Sequence, residues 1–344
     1  MIAALDATYS VGSSLSGVGV YSREILSALA GLRPGDTFLH CYRPHRLWRG
    51  LREPRPPNVV AAPLFEAWEP FRCDLFHGLN QRLPRHRFRR SVCTFHDLFV
   101  MTSEYSTPEF RVRFTAQARE AAERADLIIC VSKFTAGQVE SLLHVERTRL
   151  RVIHHGTRFV ETPAGVERQP WILHVGAVQT RKNLLRLIEA FEIAAEPPWR
   201  LVFAGGDGFG AAQVRARAAA SPARDRIEFP GWVDDGRLAG LYARASVLAF
   251  PSLDEGFGIP ILEAMAWGLP VVASNRSSLP EVCGNDALLV DPGDTEALGA
   301  AIRSLIDDPV LASTLAGRGR ERARRRPWSA AAGETLRVYA ELLS

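Results

Sequence analysis

Hydrophobic positions in this chain come in two alternating kinds of segment. Short runs are apolar at nearly every position: Ile2–Leu5, Thr37–Cys41, Val59–Pro63, Val92–Phe95, 126–132, Leu150–Ile153, Trp171–Val175, Leu201–Ala204, Ile227–Pro230 and Ala245–Phe250. Continuous runs of this length suit parallel strands buried on both faces. Between them, apolar residues recur at helical spacing: Ile25, Leu26 and Leu29; 108–124; 184–191; Leu238, Leu241 and Tyr242; Ile261, Leu262, Met265 and Ala266; 296–306; 308–326; 328–342. Strand and helix therefore alternate, and the chain reads as α/β with parallel sheets. The Phe159–Pro170 stretch, with two prolines, a glycine and several charges, is the best boundary. It divides the chain into 1–165 and 166–327, followed by a last helix in 328–344.

A length of 344 residues fits two domains of ordinary size, and 47% hydrophobic content supplies their cores. The net charge of +4 is unevenly spread. Residues 1–165 hold 22 Lys and Arg against 16 Asp and Glu (net +6), and 166–344 hold 20 against 22 (net −2). The excess sits in 33–90, where Arg43, Arg46, Arg49, Arg52 and Arg55 recur every three residues around Leu47 and Trp48, with a second cluster from Arg82 to Arg90. This patch points to peripheral contact with an anionic membrane or an anionic acceptor; the plainer reading is a solvated basic loop. No nucleic-acid module accompanies the charge, so no nucleic-acid partner is expected. Five widely spaced cysteines without a C-x-x-C fit a reducing cytoplasm. No run approaches the ~20 apolar residues of a membrane span, and M-I-A-A-L-D reads as a first strand, not a signal peptide.

Candidate chemistry lies in the loops after strands. The 250–263 stretch, F-P-S-L-D-E-G-F-G-I-P-I-L-E, reads as strand end, glycine loop and helix start, with Pro260 in the first turn. Backbone N–H groups there suit a phosphate. Glu255 and Glu263, eight apart, repel phosphate, and instead suit hydroxyls of a sugar and of a ribose. After Trp171–Val175 comes G-A-V-Q-T-R-K-N, in which Arg181 and Lys182 add cationic charge at a helix start, a diphosphate arrangement. The first strand is followed by S-G-V-G-V-Y (16–21), again a glycine segment before a helix, without the full G-x-G-x-x-G of a dinucleotide site. His96-Asp97 stands at a strand's carboxyl end, where α/β proteins place ligand groups. His77 is an even choice between ligand and structural histidine.

The string from Pro251 to Ser274 resembles the E-x7-E region of the retaining glycosyltransferases of family 4 (glycosyl transferases group 1), which have the GT-B fold. The resemblance extends over nearly the whole chain and is strongest in 171–295. It implies two Rossmann-like domains facing across a cleft, with the last helix returning to brace the first. The R-P-W-S-A-A-A string at 326–332 matches that helix. By resemblance Gly17 and Val18 face the donor diphosphate, as do Arg181, Lys182 and the N–H groups of Gly256, Phe257 and Gly258. Glu263 takes the ribose, Glu255 the sugar hydroxyls, and the backbone near Val233 the base, with Trp232 either stacked on the base or packed inside. His96 matches the H-D-L of the mannosyltransferase-like branch, where the histidine contacts the donor sugar. The catalytic set is thus His96, Glu255 and Lys182. Departures are Ala177 and Gln179, where relatives carry Arg and Glu, and His155, where Asn is usual.

These expectations define a hexosyltransferase that uses a nucleotide-diphosphate sugar, GDP-mannose first, and a glycan or lipid-linked acceptor in cell-envelope polysaccharide synthesis. The enzyme is expected in the cytoplasm or peripherally on the inner membrane face. No D-x-D occurs, so no metal is expected, and no cofactor beyond the donor. UDP- or ADP-glucose donors, a UDP-sugar epimerase and a non-catalytic nucleotide-sugar-binding subunit are the competing readings.

Overall fold

A computed structural model describes residues 1–102, 105–158 and 166–344. Contacts divide the chain into two units: Met1–Gly156 together with Trp328–Ser344, and Thr157–Pro327. The proposed boundary stretch falls partly on 159–165, outside the described residues.

Unit 1 holds β1 (Ile2–Asp6), α1 (Gly17–Leu32), β2 (Thr37–Tyr42), α2 (Pro44–Arg52), β3 (Val59–Pro63), β4 (Leu75–Gly78), β5 (Ser91–Phe95), α3 (Phe99–Thr102), α4 (Pro108–Arg124), β6 (Leu127–Cys130), α5 (Lys133–Leu143) and β7 (Leu150–Val152). Its seven strands form one parallel sheet in the order β3-β2-β1-β4-β5-β6-β7, with Ala3 opposite Phe38 on one side and Leu75 on the other. Strand residues Ala4, Phe76, Cys93, Phe95 and Ile128 share a core with the small face of α4, Ala118, Ala121 and Ala122. All five cysteines are free thiols, and four are buried.

Unit 2 holds β8 (Trp171–Val175), α6 (Leu184–Ala194), β9 (Arg200–Ala204), α7 (Ala211–Ala219), β10 (Ile227–Gly231), α8 (Asp235–Arg244), β11 (Val247–Phe250), α9 (Ile259–Ala266), β12 (Val271–Ser274), α10 (Leu279–Cys283), β13 (Leu288–Val290), α11 (Thr295–Asp307) and α12 (Pro309–Arg324). Its six-stranded parallel sheet runs β10-β9-β8-β11-β12-β13. Leu184, Leu187, Ile188 and Phe191 of α6 pack with Leu298 and Ile302 of α11 over Ile172, Leu201 and Phe203.

The last helix, α13 (Trp328–Leu343), belongs to unit 1, as the family resemblance implies, and packs on α1. Its buried stripe is Trp328, Ala331, Ala332, Thr335, Leu336 and Tyr339, a helical spacing. Polar contacts fix its register: the Tyr339 hydroxyl meets His77 Nδ1 at 2.6 Å, Arg90 Nε donates to the Leu342 carbonyl at 3.1 Å, and Arg151 pairs with Glu341.

In both sheets the chain runs outward from a first strand, then returns to lay the fourth on that strand's other side. The reversal lies between β1 and β4 in unit 1, and between β8 and β11 in unit 2. Loops diverge at such a reversal, and ligands of doubly wound sheets bind there at the strands' carboxyl ends.

Candidate active site

Two loops flank the reversal in unit 2. One follows β8 and carries a 3₁₀ turn, Thr180–Lys182; the other follows β11 and leads into α9. The reversal brings Lys182, with Arg181 beside it, to Glu255, 73 residues on from Lys182. Lys182 Nζ lies 2.5 Å from Glu255 Oε1, and Arg181 Nη1 lies 2.8 Å from Oε2, with all three side chains buried. Burial pushes the Glu255 carboxyl up, but the charges of Arg181 and Lys182 and their hydrogen bonds outweigh it and bring it down to about 2. The sugar-hydroxyl role expected of Glu255 did not include this pairing with both cations. Arg181, left out of the expected catalytic set, is as closely engaged as Lys182.

The backbone around this cluster is pinned. Asn183 takes φ of 60° and donates from Nδ2 to the carbonyls of Pro251 (3.2 Å) and Pro292 (2.7 Å), tying the first loop to the second. The cations therefore sit in a 3₁₀ turn one residue before α6, not in its first turn. Glu255 N donates to Ser277 Oγ at 3.0 Å, and Ser278 Oγ donates to the Glu255 carbonyl at 2.7 Å. Gly258, the N-cap of α9, has φ of 100°, and a Cβ there would lie 2.9 Å from Leu279 Cδ2. Gly256, Phe257 and Gly258 are all buried in this turn.

Lys182 Nζ also lies 4.7 Å from the centroid of Phe250, whose other neighbour is the stacked ring of His174. His174 donates from Nδ1 to the Ala249 carbonyl at 3.0 Å. Burial, then the Lys182 charge, hold it neutral, with its pKa lowered to about 3. Sequence reasoning missed His174, Phe250 and Asn183 as parts of the site, since each lies in a strand or turn whose role needs only an apolar or turn-forming residue.

Glu263 is on α9, and the buried Tyr242 of α8 donates to its Oε2 at 2.8 Å. Tyr242, on the apolar face of α8, thus orients this carboxylate with its hydroxyl. Val233 follows β10 and is half-buried, and Trp232 beside it is 46% exposed.

In unit 1, Gly17 and Val18 form the first turn of α1, not a loop, because Ser16 caps the helix by accepting from Gly19 N at 3.3 Å. Gly17 is exposed, with open space where its side chain would be. His96 is buried after β5 and donates from Nε2 to the Leu79 carbonyl at 2.8 Å. Burial lowers its pKa to about 4. Its ring packs edge-on against Tyr21 and stacks on His155, the departure from Asn, which in turn packs on Trp328. His77 is structural: it is fully buried and bonds Thr94 Oγ1 at 2.8 Å and Tyr339 through its two nitrogens.

The basic patch contracts. Arg43 is buried and pairs with Glu66 and, at 3.7 Å, with Asp6; Arg82 pairs with the same Glu66 at 2.7 Å. Arg85, Arg87, Arg89 and Arg90 stay exposed, as does α2, where Trp48 is 75% and Leu51 42% exposed beside Arg49 and Arg52. Arg52 stands over the Trp48 ring at 5.9 Å. Among the described residues no helix is long and apolar enough to cross a membrane, and no cluster of His, Cys, Asp and Glu is built to hold a metal.

Two family models match the chain. The one described as Glycosyltransferase Family 4 covers 16–158, and Glycosyl transferases group 1 covers 160–325. A curated relative is the O-antigen chain mannosyltransferase B of Escherichia coli, 29% identical across 97% of this chain and 98% of its own. Among solved structures, sucrose-phosphate synthase from Thermosynechococcus elongatus superposes with a TM-score of 0.79 at 24% identity, covering 99% of this chain and 98% of its own. Anabaena HepE, solved with UDP and glucose, gives 0.76 at 19% identity over 99% of both chains. With both sheets, both reversals and both family models in agreement, the chain belongs to the family 4 glycosyltransferases (glycosyl transferases group 1) and is an enzyme of that class with the GT-B fold.

Proposed function

We propose that the enzyme is a retaining mannosyltransferase that takes GDP-mannose as donor and extends a glycan or lipid-linked acceptor of a cell-envelope polysaccharide. The observation that carries the donor assignment is the buried cluster of Arg181 and Lys182 beside the α9 N-terminus. Breaking the sugar–phosphate bond leaves negative charge on the diphosphate. Two fixed cations and the N–H groups of Gly256 to Gly258 stabilise that charge, which is the term preorganised sites supply best. The same two cations supply the stabilisation otherwise given by a metal, so the reaction runs without one. Glu263, oriented by Tyr242, takes the ribose hydroxyls, and the backbone near Val233 meets the base. Unit 1 takes the acceptor. The neutral His96 ring contacts the donor sugar, while Gly17 and Val18 offer N–H groups at the exposed start of α1. The acceptor oxygen bonds the anomeric carbon on the face the diphosphate leaves and gives its proton to that leaving phosphate, so configuration is retained.

The mannosyl choice is supported by His96-Asp97-Leu98 and by the O-antigen mannosyltransferase among the relatives. Glucosyl transfer from UDP-glucose is the second reading, favoured by the HepE complexes with UDP and UDP-glucose. Metal-free thermal shifts with GDP, UDP, ADP and dTDP separate them. Stabilisation by GDP alone, followed by mannose transfer from GDP-mannose, is the expected result. Stabilisation by UDP alone moves the assignment to glucose, and no stabilisation by any of the four sinks the donor site. Peripheral membrane contact rests on the α2 face, where an exposed tryptophan sits among arginines. Flotation with anionic vesicles, lost in Trp48→Ala and absent with neutral vesicles, is expected; equal flotation with both kinds would remove this part of the reading.

A further inference from the structure

The two cations assigned to the diphosphate are bridged by a carboxylate. Glu255 presents one oxygen to Lys182 at 2.5 Å and the other to Arg181 at 2.8 Å. This is the fork that a phosphate edge would make with the same pair. The carboxylate cannot withdraw with its backbone, which is held on both sides by Ser277 and Ser278. The cations are held as well: Arg181 donates to the Asp254 carbonyl, and Asn183 locks the turn that carries Lys182. Three charged groups are thus fixed in a space screened from water.

We propose that Glu255 is a resident anion, which the donor's diphosphate displaces from Arg181 and Lys182. The inference rests on the donor site proposed above and deepens it. Binding is an exchange of one anion for another, so the buried cations are paired in both states. The displaced carboxylate turns to the sugar hydroxyls, and loading the donor and setting its sugar become one event. On product release Glu255 returns to the cations and competes with the nucleoside diphosphate, which lowers product affinity. Glu255 thereby acts on phosphate affinity as a positioning residue, through the two cations.

The test compares GDP and UDP binding by calorimetry in the parent, Glu255→Gln and Glu255→Asp, with guanosine and uridine as phosphate-free probes. Glu255→Gln removes the competing charge and keeps the shape. The nucleoside diphosphate bound by the parent should bind at least ten-fold more tightly, about 1.4 kcal/mol, with no gain for the nucleoside. Donor KM and kcat should fall together, a split that a merely structural carboxylate would not give. Glu255→Gln removes the Glu255 counter-charge from two buried cations, a cost to folding, so its circular dichroism spectrum is read first. Glu255→Asp keeps the charge but shortens its reach. It should bind the nucleoside diphosphate more tightly than the parent and less tightly than Glu255→Gln. Unchanged or weaker binding by either folded variant, while the parent binds, overturns the exchange and leaves the donor site standing. If neither parent nor variants bind any nucleoside diphosphate, the donor site falls and the exchange with it.

Discussion

Five histidines are buried in a neutral state, and their distribution predicts that the two units respond differently to acid. His40, His77, His96 and His155 lie in unit 1, and only His174 in unit 2. Burial is the first cause of depression in each. It lowers His40 and His96 to about 4, His77 and His174 to about 3, and His155 well below its ordinary value. An unfolded histidine titrates near 6.5. Between that value and the folded one the unfolded chain binds more protons, so stability rises with pH and is lost as pH falls from ~6.5 toward ~4. Taking pH 7.5 down to 5.5 costs about 1.4 kcal/mol per buried histidine by this linkage. Unit 1 should therefore lose roughly 5.5 kcal/mol and unit 2 about 1.4, against a typical total of ~5–15. Glu255 adds nothing in this window. Its lowered pKa gives stability that is complete above its ordinary value and declines only as pH falls toward about 2. Hydrogen exchange read by mass spectrometry, corrected for the intrinsic pH effect, resolves the units by peptide. Peptides of β1, β4 and β5 should lose far more protection at pH 5.5 than those of β8, β9 and α6. Equal losses in the two units, or none, would refute the neutral burial of these rings.

Tyr339→Phe removes the hydroxyl that bonds His77 and should lower stability by about 1–3 kcal/mol, with kcat unchanged at low temperature; an unaltered melting curve would show that the bond contributes nothing. Gly205→Ala places a Cβ 1.9 Å from the Gly176 carbonyl oxygen, backbone against backbone. The strain of roughly 1–3 kcal/mol or more should displace the β8 loop and weaken nucleotide binding, which calorimetry would detect. Lys182→Gln should lower kcat about 10²–10³-fold, while EDTA leaves the parent's rate intact; a large EDTA effect would hand the phosphate charge to a metal.

The strands were legible because a parallel strand covered on both faces needs an unbroken apolar run, and those runs survive in the sequence. α7 was not, since Ala211–Ala219 carries a single large apolar residue, Val214, among alanines and arginines. The three residues of β13 were too few to register. In the site, the loops and their charged residues were readable, but the pairings were not. Glu255 meets Arg181 and Lys182, and His77 meets Tyr339, only because the sheet order reverses and the last helix returns, and neither fact is local. Arg43 and Arg82 looked like surface charge for the same reason: Glu66, their partner, is brought in by the end of β3.

The placement of α13 makes unit 1 discontinuous in the chain, and this orders its biosynthesis. The strands of unit 1 are complete once β7 has left the ribosome, yet α1 then still lacks its packing partner and His77 its Tyr339. Thr157–Pro327, 171 residues in all, must be made before Trp328 appears. At ~5–20 residues per second that interval is roughly 10–35 s. Unit 2 has every one of its strands and helices in hand at the end of it. The unit made first is thus the last to close, and until then it offers the exposed apolar flank of α1 to whatever the cell supplies as a chaperone.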